Sequence, residues 1–294
     1  MYDKFFGSYL LNKNILTNES LREILEHMQT VRIKVGTLAM KEGLMNGTQV
    51  EEVFQLQKVQ DKKFGEIAVE KGYLTNAQVE RLLEHQSEES NLQLGQAAID
   101  LGYLNYEQLD EELKNFENES GLSKIQLKVL EEGDTDKIIR EFIDFKDSPH
   151  SQMYYDYVAL LLRNVIRFLD QQPWIDVNKK KEELAQNITV YQYLENYSRI
   201  FTGISISQDE IIEMAEKFGK MSMKDDMEMA ESAITEFLNL HNGIFTVNMS
   251  DQGREYEMSP PAITKEGTID EMNAGHQIGV NTAIGKIHLI LAPY

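Results

Sequence analysis

The sequence contains no cysteine, which removes disulfides, thiolate metal sites and cysteine nucleophiles together and fits a reducing compartment. Proline is scarce too, with five in 294 residues, too few for a disordered or polyproline chain. Basic residues are the third shortage: 29 Lys and Arg against 49 Asp and Glu leave a net charge of −20. That balance opposes broad contact with a nucleic-acid backbone or an anionic bilayer. No stretch reaches the ~18–20 consecutive apolar residues of a membrane span, and Met1-Tyr2-Asp3-Lys4 lacks the basic-then-apolar layout of a signal peptide. A cytoplasmic protein with neither nucleic acid nor membrane as partner is expected. P-loop, dinucleotide-binding and nucleophile-elbow motifs are missing, and the six histidines are dispersed, so no resident metal or cofactor is expected.

What is present is ordinary globular usage, 41% hydrophobic and 27% charged residues, over a length that suits two domains with separate cores. The first 116 residues carry an internal repeat. Gly7, Gly36, Gly65 and Gly95 fall at intervals of 29, 29 and 30. Seven residues after each stand Asn14, Gly43, Gly72 and Gly102, the class that ends a helix in the left-handed conformation. Three positions further come Thr17, Asn46, Thr75 and Asn105, favoured helix N-caps, and Gln49, Gln78 and Gln108 complete capping boxes in the last three units. Each unit reads as a helix, a tight turn and a second helix. The second helices have apolar residues at helical spacing, such as Leu21, Ile24, Leu25 and Met28, or Val79, Leu82 and Leu83. A lone hairpin cannot bury such a stripe, so the four are expected to stack.

This N-terminal pattern resembles the MshEN domain of type II secretion and pilus ATPases, whose tandem motifs bind cyclic di-GMP. The family motif opens Arg-Leu-Gly; the triplets here are Lys34-Val35-Gly36 and Lys63-Phe64-Gly65, while Gly7 and Gly95 follow Phe5-Phe6 and Gln93-Leu94 without a cation. Lysine supplies a point charge in place of arginine's stacking, bidentate plane. The resemblance therefore implies a nucleotide site, if one is kept, at Lys34, Gly36, Lys63 and Gly65, where a helix start could face an anion. The competing reading is a helical module that packs against another protein surface.

Residues 117–150 read as a connector, with loop-like composition around short helical pieces near Leu122–Leu130 and Asp136–Phe142, and a stop signal at Asp147-Ser148-Pro149. From 151 to 294 the grammar is α+β. Tyr154–Leu169 reads as an apolar helix, Ile188–Leu194 and Arg199–Ser207 as strands, Gln208–Phe218 (capped by Ser207) and Asp225–Asn242 as helices, the latter ending at Gly243. Glu255–Met258, Gly279–Ile284 and Lys286–Leu291 read as further strands. The acidic run from Asp225 suits a helix start rather than a metal cluster.

On a helical wheel Met227, Ala230, Ile234, Phe237, Leu238 and His241 share one arc of roughly 100°, while Ser232, Glu236, Asn239 and Gly243 share the other face. A carboxylate and an amide at i and i+3, flanked by small residues, make a face that a partner can approach closely. Glu236-Phe237-Leu238-Asn239 with Gly243, followed by Ser259-Pro260-Pro261, is similar to the Glu-x-x-Asn helix and Ser-Pro-Pro segment of the CheC/CheX/FliY chemotaxis phosphatases, with the single copy of CheX. The resemblance implies hydrolysis of an aspartyl phosphate on a CheY-like response regulator that brings its own Mg²⁺. Asn239 would hold the attacking water, Glu236 would pair with the receiver's lysine, and Ser232 and Gly243 would line the docking face. It also implies a homodimer formed through the sheet. A bulky Phe237-Leu238 and His241 would alter that docking surface, and a noncatalytic adaptor that binds a receiver or senses cyclic di-GMP is the alternative.

Overall fold

The computed structural model describes residues 2–28, 30–86, 92–146, 148, 150–169, 173–176, 181–223, 226–265 and 269–294. The chain divides between Gly133 and Asp134 into two compact units. Asp147, Pro149 and Asp225, where a stop and a helix start were expected, lie outside the described residues.

The first unit consists of helices. Four hairpins are formed by α1 (Tyr2–Asn12) with α2 (Asn18–Met28), α3 (Val35–Lys41) with α4 (Gly47–Gln57), α5 (Phe64–Glu70) with α6 (Asn76–His85), and α7 (Gln93–Asp100) with α8 (Tyr106–Glu119). Each turn passes through the left-handed region at Asn14, Gly43, Gly72 or Gly102, with φ between 57° and 80°. Capping boxes close at Asn46 and Gln49, Thr75 and Gln78, and Asn105 and Gln108. In the first hairpin Ser20 takes the glutamine's place, donating nothing to length but exchanging bonds with Thr17 across the same three residues.

The leading glycines serve packing. A Cβ on Gly7, Gly36, Gly65 or Gly95 would stand 2.6–2.9 Å from Leu21, Val50, Val79 or Leu109, in each case a residue of the hairpin's own second helix. Glycine is what lets the two helices approach so closely.

The hairpins do not form a simple linear stack. The fourth turns back on the first two, with α7 against α2 and α8 against α4. The second and fourth hairpins meet through equivalent positions. Gly47 N–H donates to Asp110 Oδ2 at 2.8 Å and Tyr106 N–H donates to Glu51 Oε2 at 3.2 Å, so each helix start receives a carboxylate from the other helix. Thr37 Oγ1 donates to the buried Gln96 Oε1 at 2.6 Å between them. Polar capping groups, invisible to a hydrophobic-period argument, thus set which hairpins pair.

Residues 117–150 are more structured than a connector. After α8 come α9 (Lys124–Glu132), which buries Leu130 and belongs to the first unit, and α10 (Thr135–Phe142), which buries Ile138, Ile139 and Phe142 and begins the second. The loop-like polar residues there are caps: Ser123 starts α9, Gly133 ends it at φ 69°, and Asp134 starts α10.

The second unit is an antiparallel sheet with helices. After α11 (Ser151–Leu169) come β1 (Trp174–Ile175), β2 (Ile188–Asn196), β3 (Ile200–Ile206), α12 (Ile211–Gly219), α13 (Met227–Ser250), β4 (Tyr256–Met258), β5 (Ala262–Thr264), α14 (Asp270–Ala274), β6 (His276–Thr282) and β7 (Gly285–Pro293). The strand order is β1-β6-β7-β3-β2-β4, with β5 also paired to β2. Val190 of β2 faces Ile204 of β3, and Gly203 faces Ile290 of β7. Helices α11 and α12 pack on α13, which lies on β2. On the other face Phe201, Ile290 and Ala292 form a core with Leu184 and Met272, packed by Tyr191 and Tyr193.

Three sequence expectations shift. The strand expected at Gly279–Ile284 is β6, His276–Thr282, and Ile284 lies in the turn that leads into β7. Helix α12 starts behind Glu210 rather than Ser207, whose hydroxyl donates to the Glu210 carboxylate at 2.7 Å. Helix α13 does not stop at Gly243 but runs on to Ser250, because Gly243 keeps a helical backbone; the chain turns left-handed only at Gly253. Strands β1 and β5 and helix α14 are too short for a periodic signal.

Two alanine substitutions should have opposite signs. Gly36→Ala places a methyl against Val50 and should destabilise the first unit by about 1–3 kcal/mol. A Cβ at Gly243 meets no atom of the described residues within 4 Å, so Gly243→Ala should stabilise the second unit by about 0.5–1 kcal/mol. Unfolding midpoints in urea, followed by circular dichroism, check both.

Candidate functional site

Helix α13 begins at the N-cap Asp226, whose carboxylate accepts from Met229 N–H at 3.0 Å. Its inner side is the core of the second unit: Ala230, Ile234, Phe237, Leu238, His241 and Phe245 are buried. Its outer side brings the expected site residues together. Ser232 and Glu236 are exposed, and Asn239 and Gly243 are half-buried beside them. Met229 and Val247 extend this face with exposed apolar side chains. Asn239 Nδ2 points toward Glu236 Oε2 at 3.5 Å, a long contact that leaves both groups available.

Phe237, Leu238 and His241 were expected to modify the docking surface. They do not reach it, being 1%, 0% and 0% exposed. The helical period turns them toward the sheet and α11. His241 lies edge-on to Tyr157, with ring centroids 4.5 Å apart, and its Nδ1 is 2.9 Å from Asn164 Nδ2. Burial, with a smaller contribution from the Arg163 charge, pushes its pKa down to about 3. The ring is therefore neutral, with Nδ1 hydrogen-bonded to the Asn164 amide.

Beneath Asn239 runs a buried polar chain that periodicity did not reveal. Gln192, 1% exposed on the inner face of β2, donates through Nε2 to Asn239 Oδ1 at 3.0 Å and to the Ser259 carbonyl at 2.9 Å. Asn242 Nδ2 donates to Gln192 Oε1 at 2.9 Å and to Thr202 Oγ1 at 3.0 Å, and Tyr157 OH donates to Asn242 Oδ1 at 2.6 Å. Thr202 Oγ1 in turn donates to the Gln192 carbonyl at 3.1 Å. Burial raises the Tyr157 pKa well above the usual phenol range, so that hydroxyl stays a donor. The sequence signal that could have found Gln192 is a single amide on the face of β2 otherwise filled by Ile188, Val190 and Leu194.

The Ser259-Pro260-Pro261 segment adjoins this site. Ser259 N–H donates to the Tyr193 carbonyl at 2.9 Å and Tyr193 N–H donates to Ser259 Oγ at 3.0 Å. Further along, Lys265 Nζ pairs at 2.8 Å with the buried carboxylate of Glu231 on α13. These bonds hold the segment between β2 and the helix.

Of the four nucleotide candidates, Lys34, Gly36 and Gly65 make contacts within the first unit, and Lys63 has an exposed side chain. Lys34 Nζ pairs with Asp100 Oδ1 at 2.7 Å, and its N–H donates to Gln96 Oε1 at 3.1 Å. Lys63 is exposed at the start of α5, its N–H bonded to Glu66 Oε2 at 2.8 Å. Gly36 and Gly65 face Val50 and Val79 within their hairpins. No described helix is long and apolar enough to cross a membrane, and no cluster of three or more His, Cys, Asp or Glu among the described residues could hold a metal ion.

No family model matches the chain, and no curated protein matches it in sequence. Solved structures do resemble it. Chemotaxis protein CheX from Vibrio vulnificus aligns with 48% of this chain and 98% of its own, at 14% identity and a TM-score of 0.42. A CheC-like superfamily protein from Shewanella sp. PV-4 aligns with 48% and 96%, at 18% identity and a TM-score of 0.39. A chain of the CheX–CheY–BeF₃–Mg²⁺ complex from Borrelia burgdorferi gives the same coverage and TM-score at 16% identity. Each of these structures aligns with about half of this chain.

The depressed His241 pKa carries a stability prediction. Its folded value lies below the unfolded value of 6.5, so its contribution is complete above pH 6.5 and is lost as pH falls toward 3. This group alone should make the second unit about 2 kcal/mol less stable at pH 5 than at pH 7. Thermal unfolding across that range should show the slope, and His241→Gln, which keeps an acceptor for Asn164, should flatten it.

Proposed function

We propose that the second unit docks a CheY-like response-regulator receiver on the outer face of α13 and hydrolyses its aspartyl phosphate. The observation that carries this reading is the Asn239 amide, held from below by Gln192 on a helix face left bare at Gly243. A glycine inside a helix costs about 0.5–1 kcal/mol relative to alanine. Among the described residues nothing stands within 4 Å of a Cβ built there, so its use there is explained by a surface that must come close.

The chemistry asks little of this chain. The receiver brings the phosphoryl group and Mg²⁺; the chain supplies a group that holds a water in line with the phosphorus–oxygen bond. Asn239 fits that task, being an amide that can both donate and accept and cannot itself be phosphorylated by the receiver. Water attacks phosphorus, the bond to the aspartate oxygen breaks, and inorganic phosphate leaves. Glu236, one turn earlier and exposed, pairs with a lysine on the receiver and fixes the pose. Ser232 and Gly243 border the pair with small side chains.

The resemblance of the first unit to MshEN domains suggests a nucleotide input. Lys34 pairs at the surface with Asp100, a contact an anion would have to compete with, and a scaffolding or partner-binding role for the hairpins is the competing reading. A noncatalytic adaptor would use the same α13 face without turnover.

Phosphate release from a phosphorylated CheY-like receiver in Mg²⁺ tests the reading. The wild-type protein should accelerate release. Asn239→Ala should lower the turnover rate about 100-fold with little change in KM for the receiver, whereas Glu236→Ala should act mainly by raising KM. A receiver that binds without faster release would establish the adaptor.

A further inference from the structure

We infer that Gln192 is a positioning residue, which fixes the direction in which the Asn239 amide faces so that its NH₂ edge, not its oxygen, points outward. This rests on the assignment of Asn239 to the proposed site and adds the part of the chain that orients it.

The argument is a count of donors and acceptors. An amide side chain can be turned by half a rotation with little change in shape, so its direction follows from the partners around it. Two partners in this chain have one sense only. The Ser259 carbonyl can only accept, so the group of Gln192 that faces it is Nε2. Thr202 Oγ1 gives its single proton to the Gln192 carbonyl, so it must accept from Asn242, and the group of Asn242 that faces it is Nδ2. These two assignments agree with each other: Asn242 Nδ2 donates its second proton to Gln192 Oε1, and Asn242 Oδ1 takes the Tyr157 proton. Gln192 then has one proton left, on Nε2, and it goes to Asn239 Oδ1. Every donor in the chain is used once, and each sits at 2.6–3.1 Å from its acceptor.

The result is a one-way relay from Tyr157 on α11 through Asn242 on α13 and Gln192 on β2 to Asn239 at the surface. Tyr157, Gln192, Thr202 and Asn242 are all buried, where reversing one amide would set donor against donor and strand buried groups at a cost of about 1–3 kcal/mol each. Asn239, half-buried, inherits its direction from below. Its outward NH₂ can donate to the oxygen of a water, leaving that water's protons for other acceptors, and the second lone pair of Oδ1 stays open at the rim.

Two variants test this. Gln192→Met keeps length and removes every bond of the side chain. Gln192→Glu keeps the acceptor for Asn242 but, as a carboxylate, cannot donate to Asn239, so the Asn239 amide should turn its NH₂ inward. The readouts are the side-chain amide ¹⁵N–¹H signals of Asn239 in the full-length protein and the steady-state kinetics of receiver dephosphorylation. In the wild type the Asn239 NH₂ should exchange rapidly with water as an ordered, outward group. In Gln192→Met its two proton shifts should converge toward those of a free amide. In Gln192→Glu one proton should become protected. Both variants should lose about tenfold or more in kcat with KM for the receiver changed less than about twofold, while backbone signals far from β2 stay in place. Asn239 signals that are the same in all three proteins would overturn the inference, as would kcat values equal to wild type. A wild type that releases no phosphate, with the Asn239 signals responding as described, would instead overturn the proposed reaction and leave the orienting role supported.

Discussion

The second unit depends on the pairing of its buried amides. Glutamine, two asparagines, a threonine and a tyrosine lie on or under the sheet face that Ile188, Val190, Leu194 and Ile204 otherwise line, and burying such groups is tolerable only if each finds a partner. Satisfying them requires α11, α13, β2, β3 and the Ser259 segment to converge within hydrogen-bond distance of one another. The aliphatic residues Ile188, Val190 and Leu194 would pack in several ways; the polar chain through Gln192 allows only the one in which its donors meet acceptors. Its outermost member is Asn239, so the arrangement that selects the packing also aims the residue on which the proposed chemistry turns.

The first unit solves a different problem by similar means. Its hairpins are short, and a helix of seven or eight residues has most of its backbone groups at an unsatisfied end. Repeated caps supply those ends locally at Asn46, Thr75 and Asn105, and carboxylates supply them between hairpins at Asp110 and Glu51. Glycines at the head of each unit then let paired helices close on a valine or leucine. The same short-range rules, repeated four times, give a module whose regular spacing comes from packing.

Much of this was legible because it is local. The left-handed turns after α1, α3, α5 and α7, the capping boxes and the outer face of α13 follow from residue type at fixed spacing and are present there, and β2, β3, β4 and β7 fall within two residues of the expected ends, while β6 begins three residues earlier than its pattern suggested. What escaped depends on contacts distant in sequence. Gly243 reads as a helix end by composition, yet the packing of Phe245 and Met249 carries α13 past it. The fourth hairpin returns to the first two because Asp110, Glu51 and Gln96 find partners there, a choice that no periodicity encodes. Lys34 pairs with Asp100, 66 residues further on, a contact no local pattern encodes. Gln192 is 47 residues from Asn239 in sequence and carries no motif; only the fold brings its amide under the site.

The most direct test of the account is where a receiver touches the protein. Isotope-labelled protein can be titrated with a CheY-like receiver loaded with Mg²⁺ and beryllofluoride, a stable mimic of the aspartyl phosphate. The account predicts shifts at Ser232, Glu236, Asn239 and Gly243, with Met229 and Val247 at the edge of the footprint, and no such response to the unloaded receiver at the same concentration. A footprint elsewhere on the second unit, or confined to the hairpins of the first, would contradict it.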